Sequence, residues 1–209
     1  AGDTAQQLME SNDFKSWDQV LSAVGRDHIE VSPLNVSYRS TYEIARVARA
    51  VLGPLAPEEP LVAVRDGVPP ELFVFDERGE AFTFLADALR SLTDEEPTAS
   101  VAVLCRYPAH VEEAWNALSR AELPSLHKVE DYDFRFAPGI EIAEIRAAKG
   151  LEFDYVVVLH ADAAIFPEDN SSRHHLHVAI TRAAYQCWLI SVGNASTLLP
   201  DWMPVRSLV

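Results

Sequence analysis

AAKGLEFDYVVVL, residues 147–159, decides how the rest of the chain is read. Positions 155–159 are apolar without a break, so neither face of the segment suits water. Such a run fits a central strand of a parallel sheet covered by helices on both sides. Lys149, Gly150 and Glu152 stand directly before it. There Gly150 permits close backbone approach and Glu152 is able to accept from a hydroxyl. The plainer reading is a loop ion pair between Lys149 and Glu152, and the local pattern leaves both open.

Working outward, further apolar runs at 100–105, 140–145 and 187–192 read as strands, and 108–121 and 171–185 as helices. Strands alternating with helices predict a doubly wound, mostly parallel α/β sheet. In such sheets ligands meet the loops at the carboxyl ends of strands. Upstream, Phe14, Trp17, Leu21 and Val24 share one helix face over 14–24. A second helix opens at Ser40 with an expected capping box, Glu43 reaching back to Ser40. Ile44, Val47, Ala48, Val51 and Leu52 form its buried stripe, and Gly53-Pro54 stops it. Prolines, acids and short strand candidates at 61–65, 72–75 and 81–84 follow, with DERGE at 76–80 read as a hairpin turn. This acidic, β-containing stretch, about residues 54–98, is expected to be an insertion.

With 209 residues the chain is long enough for one domain with its own core. Its net charge is −15, and eleven acids against three arginines between 54 and 100 carry more than half of that excess. The balance argues against a simple electrostatic nucleic-acid binder, while the near-neutral remainder leaves room for a modest basic surface. Cys105 and Cys187 lie in apolar runs and read as buried thiols. No stretch is apolar enough to cross a bilayer and no secretion signal opens the chain, so a cytoplasmic protein without a membrane partner is expected. His174 and His177 share a helix face without further ligands at metal spacing, so no metal site is expected.

Two more clusters carry charge where the pattern calls for turn or core. In LNVSYRSTYEIARVA, residues 34–48, Arg39 precedes a helix start, where an anion can find it. A surface arginine beside a buried Tyr38 is the plainer account. In HVAITRAAYQCWLISV, residues 177–192, Arg182 interrupts a helix of small residues that includes Val178, Ala179 and Ala183. A guanidinium there needs an anion, either a ligand or an acid elsewhere in the fold.

Together, L-x-x-x-YRST-x-EI, KGLEFD-x-VVV and VAITRA, in this order, resemble motifs IV, V and VI of UvrD-like superfamily 1 helicases, in the second RecA-like lobe. The opening GDTAQ resembles motif III. The resemblance implies residues 1–24 as the end of a first lobe with its linker and 25–209 as the second RecA-like lobe, a P-loop NTPase-like three-layer fold. It implies ATP held between the lobes, with Arg39 and Arg182 as arginine fingers, Tyr38 near the adenine, Gly150 and Glu152 on the ribose and phosphate side, and Gln6 sensing the γ-phosphate. Arg146, Lys149 and Thr181 take the nucleic-acid side, toward single-stranded DNA or another nucleic acid. No G-x-x-x-x-G-K-[ST] loop and no magnesium-holding acidic pair occurs. The phosphate cradle is therefore expected upstream. ATP and Mg2+ belong to the longer protein, and this portion is expected to be a monomer that neither hydrolyses ATP nor unwinds a duplex alone.

Glu144 and Arg146 stand where the family usually has a threonine and a histidine facing nucleic acid, and the stretch after GDTAQ lacks the usual stacking aromatic and arginine. These departures resemble the HelD-like branch, which shares the motor lobes but acts on RNA polymerase. There the acidic segment would face a basic partner, whereas a solvated face is its commoner meaning. A third reading is an interaction module that kept the fold and lost the motor.

Overall fold

The apolar runs become strands in the computed structural model, which describes residues 8, 17–26, 28–29, 36–37, 40–58 and 62–207. In chain order these form α1 (Trp17–Ala23), β1 (Val36–Ser37), α2 (Tyr42–Leu52), β2 (Val62–Ala63), β3 (Glu71–Phe75), α3 (Arg78–Glu95), β4 (Ser100–Cys105) and α4 (Pro108–Leu118). There follow β5 (Leu126–Lys128), β6 (Gly139–Glu144), β7 (Phe153–Val158), α5 (Asn170–Ile180), β8 (Ala183–Val192) and β9 (Val205–Ser207). β1 and β2 pair by themselves, and seven strands make the main sheet in the order β5-β6-β4-β7-β8-β3-β9, every neighbour parallel.

Alternation along the central strands divides the core in two. Ala102, Leu104, Val156 and Val158 face α2 and α5, while Val101, Val103, Cys105 and Val157 face α3 and α4. Both faces are covered, which is why these strands carry no polar alternation. The result is a three-layer, RecA-like α/β arrangement.

Three local expectations are corrected. Ala81–Phe84 is helix rather than strand, and DERGE is a strand-to-helix transition rather than a hairpin. Glu77 is the extended N-cap of α3, and Ala81, Leu85 and Leu89 recur at four-residue spacing on its buried side. Phe84 packs on Phe73 and Phe75 of β3 at centroid distances of 4.8 and 5.3 Å, so the aromatic alternation that mimics a strand serves a helix face. The segment read as an insertion thus supplies a strand of the main sheet and a covering helix.

The capping box at Ser40 does not form. Thr41 is the N-cap of α2, accepting from the Ile44 amide at 3.4 Å, while Glu43 accepts from the Gly67 amide at 2.7 Å. Lastly, the helix expected over 171–185 ends at Ile180. Ala183 already belongs to β8, because strand neighbours on both sides capture the aromatic and β-branched residues that follow. Phe14, expected on the α1 face, lies outside the described residues.

Candidate functional site

Parallel topology fixes the site's address. β6 ends at Glu144 and β7 begins at Phe153, so the connection 145–152 must run from the carboxyl end of the sheet to its amino end. Arg146 therefore stands at the carboxyl end, and Leu151 and Glu152 at the amino end. The expectation of a site at the carboxyl ends does not hold for the KGLEF cluster, because its tight crossover delivers it to the opposite edge.

At that amino edge the three clusters meet through hydrogen bonds. Ser40, buried directly before α2, donates its Oγ to the carbonyl of Ala183 at 2.9 Å. The amide of Phe153 donates to the carbonyl of Arg182 at 2.9 Å, and Arg182 Nη1 donates to the carbonyl of Leu151 at 3.0 Å. Residues near 40, 151 and 182 thus lie side by side although residue 40 precedes the other two by more than a hundred positions.

Arg182 is fully buried and is the bulkiest side chain in that state among the described residues. It follows the end of α5, whose last carbonyls have no partner within the helix. Its Nε donates to Val178 O at 3.1 Å and its Nη2 to Thr181 Oγ1 at 3.2 Å, and Thr181 Oγ1 in turn donates to His177 O at 2.9 Å. A guanidinium at the negative end of a helix macrodipole is favourably placed. Arg182 accordingly does not interrupt a helix; it closes one and ties it to the 150–152 loop.

Gly150 has φ +89°, where only glycine is unstrained, and nothing lies within 4 Å of where a side chain would begin. That face of the loop is open. Glu152 and Lys149 are exposed. Gln6, Tyr38 and Arg39 lie outside the described residues.

The residues expected on the nucleic-acid side are not brought together. Thr181 is at the amino end beside Arg182, whereas Arg146 is at the carboxyl end, its Nε 2.6 Å from Glu144 Oε2. Their separation follows from the same crossover. His177 Nδ1 donates to Ala48 O at 3.0 Å, a helix-to-helix tie between α5 and α2. Among the described residues no group of three or more His, Cys, Asp or Glu is placed to hold a metal, and no helix is long and apolar enough to cross a membrane.

Sequence reasoning missed the roles at this junction of Ser40, which it read as a helix cap, and of Leu151 and Arg65. The first two act through an unremarkable hydroxyl and a backbone carbonyl, which leave no signal. Arg65 donates to Ala184 O at 3.5 Å, accepts from the Tyr42 amide at 2.8 Å through its own carbonyl, and lies 5.5 Å from the Tyr185 ring centroid. The nearby Gly67 marks this contact, because any β-carbon there would fall 2.4 Å from Thr41 Cγ2.

Residues 139–190, which hold β6, the crossover, β7, α5 and most of β8, match the family described as the UvrD-like helicase C-terminal domain. The fold is similar to the C-terminal domain of a possible DNA helicase from Lactobacillus plantarum WCFS1, with a TM-score of 0.67 and 25% identity over 81% of this chain and 98% of that one. Arterivirus nonstructural protein 10, a helicase, aligns with a TM-score of 0.44 and 12% identity in complex with DNA, and 0.45 and 11% in a second structure. This chain covers 37% and 36% of those two chains. No curated protein matches the sequence.

Proposed function

We propose that these residues are the C-terminal motor lobe of an ATP-dependent superfamily 1 helicase or translocase. The observation that carries this reading is the junction of Ser40, Leu151 and Arg182 at the amino ends of β7 and β8. Three segments that resemble three helicase motifs meet at one edge, where a second lobe can dock.

In this proposal one wall of a nucleotide site is the open face of Gly150 with the exposed Glu152 beside it, and the buried guanidinium of Arg182 lies behind that loop, bonded to Leu151 O. The phosphate cradle and the carboxylates for Mg2+ come, in this proposal, from a first lobe. ATP, when bound, supplies the phosphoanhydride whose cleavage drives the cycle. Arg182, which holds Val178 O, Leu151 O and Thr181 Oγ1 among the described residues, would exchange at least one of these for a phosphate oxygen when the lobes close. Arg39 is its proposed companion and Tyr38 the base-stacking residue. Arginine fingers accelerate phosphoryl transfer by about 10³ to 10⁵.

A second reading, a HelD-like lobe acting on RNA polymerase, is favoured by the Glu144–Arg146 pair, which neutralises one of the two cations expected on the nucleic-acid side. One experiment separates the two: unwinding of a 3′-tailed duplex by the intact protein with ATP, run beside co-purification with RNA polymerase. ATP-dependent unwinding without polymerase supports the helicase. Polymerase binding without unwinding moves the assignment to the second reading, and absence of ATP turnover under both conditions rejects both.

A further inference from the structure

Ser40 donates its hydroxyl at 2.9 Å to the carbonyl of Ala183, the residue that follows Arg182, across 143 positions of chain. The serine is 3% exposed. Helix α2 does not need it as a cap, because Thr41 Oγ1 already accepts from the Ile44 amide at the first turn. We propose that Ser40 is a positioning residue for Arg182 in ATP hydrolysis, fixing the backbone from which that guanidinium meets the γ-phosphate.

Three bonds hold the main chain around Arg182. Its amide donates to Ala179 O at 3.1 Å, its carbonyl accepts from the Phe153 amide at 2.9 Å, and the next carbonyl accepts from Ser40. The first two join backbone to backbone, at the end of α5 and the start of β7, and any residue could make them. The third comes from a side chain. Because His177 Nδ1 also donates to Ala48 O at 3.0 Å, α2 is fastened to α5 at one point and its leading residue to the start of β8 at another. Arg182 stands between the two fastenings in sequence. The contact of Arg65 Nη2 with Ala184 O is longer, 3.5 Å, and holds a different peptide.

This inference rests on the nucleotide reading of Arg182. As the oxygen of water bonds to the γ-phosphorus and the bond to the bridging oxygen breaks, ADP leaves with the electron pair and the water's proton passes to the released phosphate. Charge gathers on the departing oxygen. A planar fork stabilises that charge only when it is already aimed at it. Misplacement by about 1 Å costs on the order of 10²-fold in rate, while ground-state binding changes little.

The test is single-turnover hydrolysis of ATP by the intact protein with Mg2+, expressed per bound ATP so that loss of folded protein does not count, beside ATP affinity and urea midpoints. Ser40→Ala is expected to slow hydrolysis about tenfold or more and to change affinity by less than about threefold. The matched control is Ser196→Ala. Ser196 is also 3% exposed and donates its hydroxyl to Phe166 O at 2.6 Å, in the loops beyond the opposite ends of β7 and β8. Both serine variants should lower the urea midpoint, whereas the control should hydrolyse within about twofold of the unsubstituted rate. In an Arg182→Lys background, Ser40→Ala should slow hydrolysis by less than about twofold further, because the fork it positions is gone. Unchanged hydrolysis by Ser40→Ala, equal slowing by Ser196→Ala, or undiminished slowing in the Arg182→Lys background would each overturn the proposal while leaving the nucleotide reading in place. Normal hydrolysis by Arg182→Lys alone would instead remove that reading, and this inference with it.

Discussion

Arg182 Nη1 donates to the carbonyl of Leu151 across 3.0 Å, joining the end of α5 to the loop that opens β7. The same guanidinium serves Val178 O and Thr181 Oγ1, so one charged side chain satisfies groups on two separate segments. Its removal leaves buried carbonyls without donors.

Arg182→Ala is therefore expected to lower stability by about 3 kcal/mol, because hydrogen bonds from a charged donor are lost and their acceptors stay buried. Arg182→Lys recovers only part, since an ammonium cannot reproduce the planar fork. Urea denaturation of the chain checks this, and a loss below about 1 kcal/mol for the alanine variant contradicts the clasp.

Gly67→Ala is expected to destabilise by about 1 to 3 kcal/mol through overpacking, because its new methyl would meet Thr41 Cγ2 at 2.4 Å. Thr41→Ser keeps the capping hydroxyl and removes that methyl. In the Thr41→Ser background the same Gly67 substitution should therefore cost less. Additive costs in thermal unfolding of the four proteins would refute the contact.

His110 and His160 stack with ring centroids 4.5 Å apart, and His160 Nε2 lies 3.6 Å from Glu113 Oε2. Arg78, 2.8 Å from Glu113, and Asp162 complete the charged surroundings. Burial lowers the pKa of both rings, and each cation would also repel the other or Arg78. The unfolded chain then binds protons first as pH falls through about 6.5, so stability declines from there downward until the folded pKa values are passed. His175, lowered by burial as well, adds to the same slope. Urea midpoints at pH 7.5, 6.5 and 5.5 should fall in that order, and His110→Phe should flatten the trend. Equal midpoints would contradict it.

The buried strands β4 and β7 and the helix α4 were legible because unbroken apolar runs and one proline-started helix carry their own signal. α3 was not, since Phe82 and Phe84 alternate like a strand while the deciding contacts, with Phe73 and Phe75, come from another element. The charged positions of the site could be named from sequence. Their arrangement could not, because Ser40 and Arg182 are held by carbonyls of Ala183, Leu151 and Val178, and a carbonyl belongs to every residue alike. Which end of the sheet the KGLEF loop occupies depended on a crossover of eight residues, visible only once the strand order was known.

The most direct test of the account is single-turnover ATP hydrolysis by the intact protein carrying Arg182→Lys, with nucleotide affinity measured in parallel. Hydrolysis should fall by about 10³ or more, while affinity changes by less than about tenfold, because the fork acts on charge that develops during transfer. Hydrolysis at the unsubstituted rate would contradict the assignment of Arg182, and with it the amino edge of β7 and β8, to the nucleotide.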